Sequence, residues 1–283
     1  MNRRFILLVL LLCVLCSASL TTAQANGTPL LELLTLVPDQ GLSDFYYTDF
    51  SAIAQAYPPA RRPADWREYD QMIPDRLEDD FALNVWWHVF RNMNPLVNEL
   101  LNGDSMPAAT GVDFFQIDRT LLYTSTTNEV YYFQGGFDID AMQSALSARS
   151  FASKAAGRDF ELWCGTVGCE NSSVPDMYQN TPGDPFGGEF GRRWARLLTP
   201  NLMIGANEFT DLQLIVDTIT GEQSSLATGP DRAAITAVSD QGVLLRAYIA
   251  PDYFINSLSV PGHGLIDLGI LYGNPAAAFR ELL

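Results

Sequence analysis

Apolar residues recur along this chain at two different periods, and the switches between them predict alternating helices and strands. Residues 29–37 read as a short apolar helix, and 45–47 as a strand entering a small helix that Thr48 or Asp49 could cap. From Leu77 to about Arg91, the residues Leu77, Phe81, Val85 and Val89 return every four positions, the spacing of one helical face. Pro95 then opens a further helix, which Gly103 ends. Between these, residues 58–75 carry four prolines around Arg61-Arg62 and predict a polar connection holding one short helix.

Strand-like segments follow at about 112–117, 120–125 and 129–136. The clearest unit runs from strand Val130–Gln134 through Gly135-Gly136 into a helix that Asp138 caps, with Ile139, Met142, Ala145 and Leu146 on one stripe. Strands near 150–155 and 158–164 come next. A second such unit starts at Leu202–Ile204, turns through Gly205-Ala206, takes Asn207 as its cap and continues as a helix striped by Phe209, Leu212, Ile215, Val216 and Ile219. Gly221 closes that helix, a shorter one is expected near 230–239, and a strand at Val243–Ile249.

This succession predicts an α+β fold. Two related strand-turn-helix modules form mixed or antiparallel sheets with helices packed on one face, beside a helical N-terminal segment. The expected divisions are 1–25, a removed segment; 26–110, mainly helical; 111–169, the first module; 170–191, a loop rich in glycine and proline; and 192–283, the second module.

The first division is a predicted export signal. Asn2-Arg3-Arg4 gives a positive start, Phe5 to Cys16 an almost unbroken apolar run, and Ala23-Gln24-Ala25 the small-x-small pattern for cleavage after Ala25. The run falters at Ser17 and Ser19, short of the roughly 20 apolar residues a membrane-spanning helix needs. No later segment approaches that length, so the mature chain is expected to be soluble and extracytoplasmic.

Charge sharpens this picture. The chain of 283 residues has 33 acidic residues against 17 Lys plus Arg, a net charge of −16. Removing the signal takes away Arg3 and Arg4 but no acid, so 15 basic residues face 33 acidic ones and the charge becomes −18. Nucleic acid is excluded as a bulk partner, because binding it rests on clustered positive charge. With 47% hydrophobic residues and 5 Trp, 11 Tyr and 16 Phe, there is ample material for a core.

Two of the four cysteines fall in the signal. The remaining pair, Cys164 and Cys169, is expected to form a disulfide, since an isolated close pair outside the cytosol favours that over metal. Zinc would need two more ligands, and His88 and His263 are distant in sequence. No motif asks for a cofactor or a metal. There is no HExxH, GxxxxGK[ST], GxSxG, SxxK or DxDxDG, and Gly103-Asp104-Ser105 lacks the strand and the late Asp-x-x-His of the esterases that begin so.

One local feature opposes the global charge. Arg192-Arg193-Trp194-Ala195-Arg196 follows the 170–191 loop, and as a strand would put Arg192, Trp194 and Arg196 on one face, able to grip an anion or stack on a planar group. Gly135-Gly136-Phe137-Asp138 before a helix, Trp163-Cys164 on a strand and Thr220 to Leu226 after a helix together resemble a group of exported bacterial proteins of uncharacterised function. That resemblance implies an extracytoplasmic α+β protein and carries over no site residue. The expected function is non-catalytic binding of a small molecule or an extracytoplasmic protein; a secreted hydrolase using paired carboxylates, such as a glycosidase, is the alternative.

Overall fold

The computed structural model describes residues 29–39, 44–56, 62–72, 86, 105–124, 129–156, 160–164, 195–206, 209–228, 232, 236, 243–250, 253–260 and 264–272. Six of its helices are α1 (Pro29–Leu34), α2 (Phe50–Ala56), α3 (Trp66–Met72), α4 (Met106–Thr110), α5 (Ile139–Ala148) and α6 (Phe209–Thr220). The strands are β1 (Asp44–Asp49), β2 (Ile117–Thr124), β3 (Glu129–Gly135), β4 (Ala152–Ala156), β5 (Phe160–Cys164), β6 (Ala195–Thr199), β7 (Leu202–Ala206), β8 (Val243–Ala250), β9 (Tyr253–Val260) and β10 (Gly264–Tyr272).

The fold is α+β, but its strands make one sheet rather than two. Ten strands join in the order β10-β9-β8-β1-β2-β3-β7-β6-β5-β4, every neighbour antiparallel. The expected modules meet where β3 pairs with β7, from Val130 opposite Ala206 to Gln134 opposite Leu202. The two-residue turn of the β6–β7 hairpin extends this seam, as Asn201 and Pro200 carbonyls accept from the amides of Gly135 and Phe137.

Helices cover both faces, which also departs from expectation. On β3, Tyr131, Tyr132 and Phe133 are consecutive and all buried, so successive side chains enter opposite cores. One core gathers Leu30, Leu33 and Leu34 of α1 and Leu212, Ile215 and Val216 of α6 over Tyr47, Leu121, Tyr132 and Ile204. The other gathers Phe50 and Ile53 of α2, Met106 of α4, and Met142 and Leu146 of α5 over Leu122, Tyr131, Phe133, Leu198 and Met203. We call these the α1/α6 face and the α2/α5 face. A sheet buried on both sides needs apolar runs rather than alternation, which is how β2, β3 and β7 read.

Local chemistry sets the boundaries. The Asp138 carboxylate accepts from the amides of Asp140 and Ala141 and starts α5, as expected. Asp49 caps α2 through the Ala52 amide at 2.8 Å. Gly221 ends α6 with a positive φ of 82°. Residues 114–116, expected in a strand, instead form a single 3-10 turn. Asp113 and Gln116 there satisfy each other's backbone amides, which diverts the chain until β2 begins at Ile117. Gly205 and Ala206, expected as a turn, are the buried last residues of β7. The expected helices at 77–91 and 95–103, the cap Asn207 and the loop 170–191 lie outside the described residues, apart from the helical Trp86.

Gly111 ends α4 at φ 74°, and a Cβ there would overlap the backbone of Ala141 and Met142 on α5. At Gly221 a Cβ would meet open space. Alanine at either position costs about 1–2 kcal/mol for its left-handed backbone, and only at 111 must α5 also move. Urea unfolding should therefore show G111A losing clearly more stability than G221A; equal losses would mean that the α4–α5 contact is loose.

Candidate functional site

Two arginines brace the corner where β1 passes into α2. On the α1/α6 face, Asp49 stands opposite Arg119 of β2, and Arg119 opposite Gln134 of β3. Asp49 Oδ2 accepts from Arg119 Nε at 2.8 Å and from the Tyr47 hydroxyl at 3.1 Å, while Oδ1 caps α2. Arg119 Nη1 donates to Gln134 Oε1 at 3.1 Å. A carboxylate exposed by only 3% thus has three donors, the condition under which a buried charge is tolerated. Burial pushes the Tyr47 hydroxyl well above its ordinary range; the charge of Asp49 adds to this and Arg119 opposes it. Burial alone would lower the Arg119 guanidinium, but its hydrogen bond to and attraction for Asp49 outweigh that and raise it.

On the α2/α5 face, Arg62 Nη2 donates to the Ile117 carbonyl at 2.5 Å, and Nη1 lies 3.7 Å from Asp118 Oδ1. Asp118 also accepts from Ser51 at 2.7 Å. The guanidinium stacks 5.3 Å from the Phe50 ring centre and 6.0 Å from that of Trp86. Burial lowers its pKa, with Asp118, Asp113 and Asp49 pulling the other way. Apart from Arg62 Nε, which is buried and meets no acceptor, the donors described for both arginines go to the protein's own oxygens, so this corner holds α2 against β1 and β2.

A different arrangement crosses the same α2/α5 face further along. Strand pairing aligns Tyr46 of β1, Leu122 of β2, Tyr131 of β3, Gly205 of β7, Arg196 of β6 and Trp163 of β5 in one row. Tyr131 and Trp163 are buried, whereas Tyr46 is 37% exposed. Arg196 has Trp163 as its neighbour on one side and Gly205 on the other. The Trp163 indole nitrogen is buried and meets no acceptor. The adjoining row, Phe133, Met203 and Leu198, shares a core with Met142 and Leu146 of α5. Gln143 of α5 donates to Glu161 of β5 at 2.7 Å and holds the helix there. Aromatic residues, an indole donor and an arginine position within one row form a constellation suited to a hydrogen-bond acceptor of negative charge.

Of the residues singled out in the sequence, Arg196 is in β6 and Cys164 is buried at the end of β5. Arg192, Trp194, Cys169, His88, His263 and the expected signal 1–25 lie outside the described residues. Sequence reasoning passed over Arg62, Arg119 and Trp163. Arg62 had only its place in a proline-rich connection to mark it, and Trp163 only its place in a strand. Among the described residues, no three His, Cys, Asp or Glu side chains gather as a metal set, and no helix is long and apolar enough to cross a membrane.

No protein-family model, curated protein or solved structure matches this chain.

Burial also pushes the Tyr132 hydroxyl, like that of Tyr47, well above the ordinary tyrosine range. In the unfolded chain both ionise near pH 10. There the unfolded state releases protons first, so stability is fully present below about pH 10 and falls as pH rises further. Urea midpoints measured from about pH 8 to about pH 11 should drop at the alkaline end, and less in the Y47F/Y132F protein; an unchanged slope in that variant would contradict the assignment.

Proposed function

We propose that this protein is exported and acts outside the cytoplasm as a non-catalytic binding or interaction protein. Its ligand or partner is received on the α2/α5 face, at the part of the sheet where β6 carries Arg196. The observation that carries the reading is the row in which Arg196 stands between Trp163 and Gly205, with Tyr131 next along. An arginine among aromatic neighbours favours a ligand that combines a flat body with a negative group. In a chain of net charge −16, a local basic position also sets the orientation in which an anion is accepted.

Export is supported by the positive start, apolar run and Ala23-Gln24-Ala25 of the N-terminus. Outside the cytosol, the Cys164–Cys169 pair would then close a small loop at the end of β5, next to Trp163. The idea of two related modules is supported locally: β3–α5 and β7–α6 are both strand-turn-helix units, and each helix packs over β6. The chain diverges after them, towards β4 in one case and β8 in the other.

The test is to isolate the exported protein and identify what accompanies it by mass spectrometry. Its N-terminus is expected at Asn26, and a bound small molecule or partner protein should be lost in the R192A/R196A variant, whose melting temperature stays within about 2 °C of the parent. A variant that melts much lower yet keeps its companion would make these arginines structural and overturn the reading.

A further inference from the structure

We propose that the free edge of the sheet at β4 adds an extended acidic segment of a partner protein as a further strand. This goes beyond the reading above, because it concerns the sheet's edge rather than its α2/α5 face.

β4 ends the sheet, and β5 is its one neighbour among the described strands. Ala152, Ser153 and Lys154 are consecutive and all exposed, so the strand is bare on both faces. A terminal strand keeps every other backbone N–H and C=O unpaired, a row that an extended segment can complete. Four of the five β4 residues are alanine or serine, whose small side chains leave that row accessible.

The edge is also held in place before any partner arrives. Ser150 enters it from α5 with a left-handed φ of 63°, uncommon for a residue with a side chain. The amides of Ser150 and Phe151 donate to the Ser147 and Leu146 carbonyls. Phe151 packs against the α2/α5 core, and the Arg149 guanidinium lies 5.2 Å from its ring centre while donating to the Ala109 carbonyl at 2.9 Å. From the opposite face, Lys154 Nζ lies 5.1 Å from the Phe209 ring centre. A strand fixed in this way loses little freedom on accepting another.

Charge selects the occupant. From Ala141 to Arg158 the sequence has no acidic residue and three basic ones, Arg149, Lys154 and Arg158, in a chain of net charge −16. Lys154 is the chain's only lysine. Two copies of β4 paired about their middle would set Lys154 opposite Lys154, and like charges in facing positions repel. An acidic strand instead places a carboxylate there and is attracted to the whole stretch.

The probe is an octapeptide of alternating glutamate and valine, added at low salt to the full-length exported protein. Two comparators accompany it: the same peptide with lysine for glutamate, and the glutamate peptide with proline for its central valines, which keeps the charge and interrupts strand pairing. Only the first should bind, and alternate amides of β4 should become protected from hydrogen exchange as it does. K154E, at an exposed position, should weaken binding about tenfold and leave the melting temperature unchanged. Equal binding of either comparator, binding that leaves the β4 amides unprotected, or no binding of the glutamate peptide overturns the proposal. Protection of β4 that grows with protein concentration alone, alongside a dimer in sedimentation, puts a second copy on the edge and overturns it as well. None of these outcomes bears on the R192A/R196A co-purification result, which decides the α2/α5-face reading separately.

Discussion

The whole sheet depends on the antiparallel pairing of β3 with β7. Five residue pairs, from Val130–Ala206 to Gln134–Leu202, join a six-stranded half, β10 to β3, to a four-stranded half, β7 to β4. Without that seam the chain would be the two smaller sheets that its strand-turn-helix units suggest. The hairpin turn at Pro200-Asn201 adds two backbone hydrogen bonds to Gly135 and Phe137, so the β3–α5 turn is tied to the half of the sheet it does not belong to. Both cores straddle the join: Tyr132 and Ile204 share one face, Phe133 and Met203 the other. Splitting the seam would expose apolar side chains on both sides at once, at about 25 cal/mol per Å² of apolar surface.

A sheet buried on both faces leaves its central polar groups no recourse to water, and the way each is satisfied separates structure from function. Asp49 has three donors, and Arg119 and Arg62 reach acceptors within the protein. Most of these groups satisfy one another, and together they tie α2 to β1 and β2. Two donors among the described residues are buried and meet no acceptor, Arg62 Nε and the Trp163 indole nitrogen. Trp163 lies on β5, in the same row as Arg196 of β6 and Gly205 of β7, two strands from the seam.

Local features of the fold were legible wherever a side chain satisfies its own neighbourhood. The cap Asp138, the stop at Gly221 and the stripe Leu212, Ile215, Val216 are properties of a few consecutive residues and read correctly, and of the alternatives Thr48 and Asp49 it is Asp49 that caps α2. Strand pairing was not legible, because it joins residues such as Tyr47 and Ala247 across most of the chain. Gly205 shows the difficulty well: before a helix, Gly-Ala reads as a turn, and only the cross-strand neighbours Tyr131 and Arg196 reveal it as a strand residue. Strands β9 and β10, beyond the last expected strand at Val243–Ile249, had no counterpart in the sequence reading. Of the candidate site, Arg196 was visible as charge against an acidic background, while its tryptophan partner became visible only through register.

Native-state hydrogen exchange tests the central claim most directly, since it reports whether the two halves open separately. If the β3–β7 seam unites one sheet, the amides of Tyr131, Tyr132, Phe133, Met203 and Ile204 exchange only through global unfolding, with the same opening free energy on both sides. Protection of β5 to β7 that is lost at low denaturant while β1 to β3 stay closed would contradict the account, because the halves would then be independent sheets.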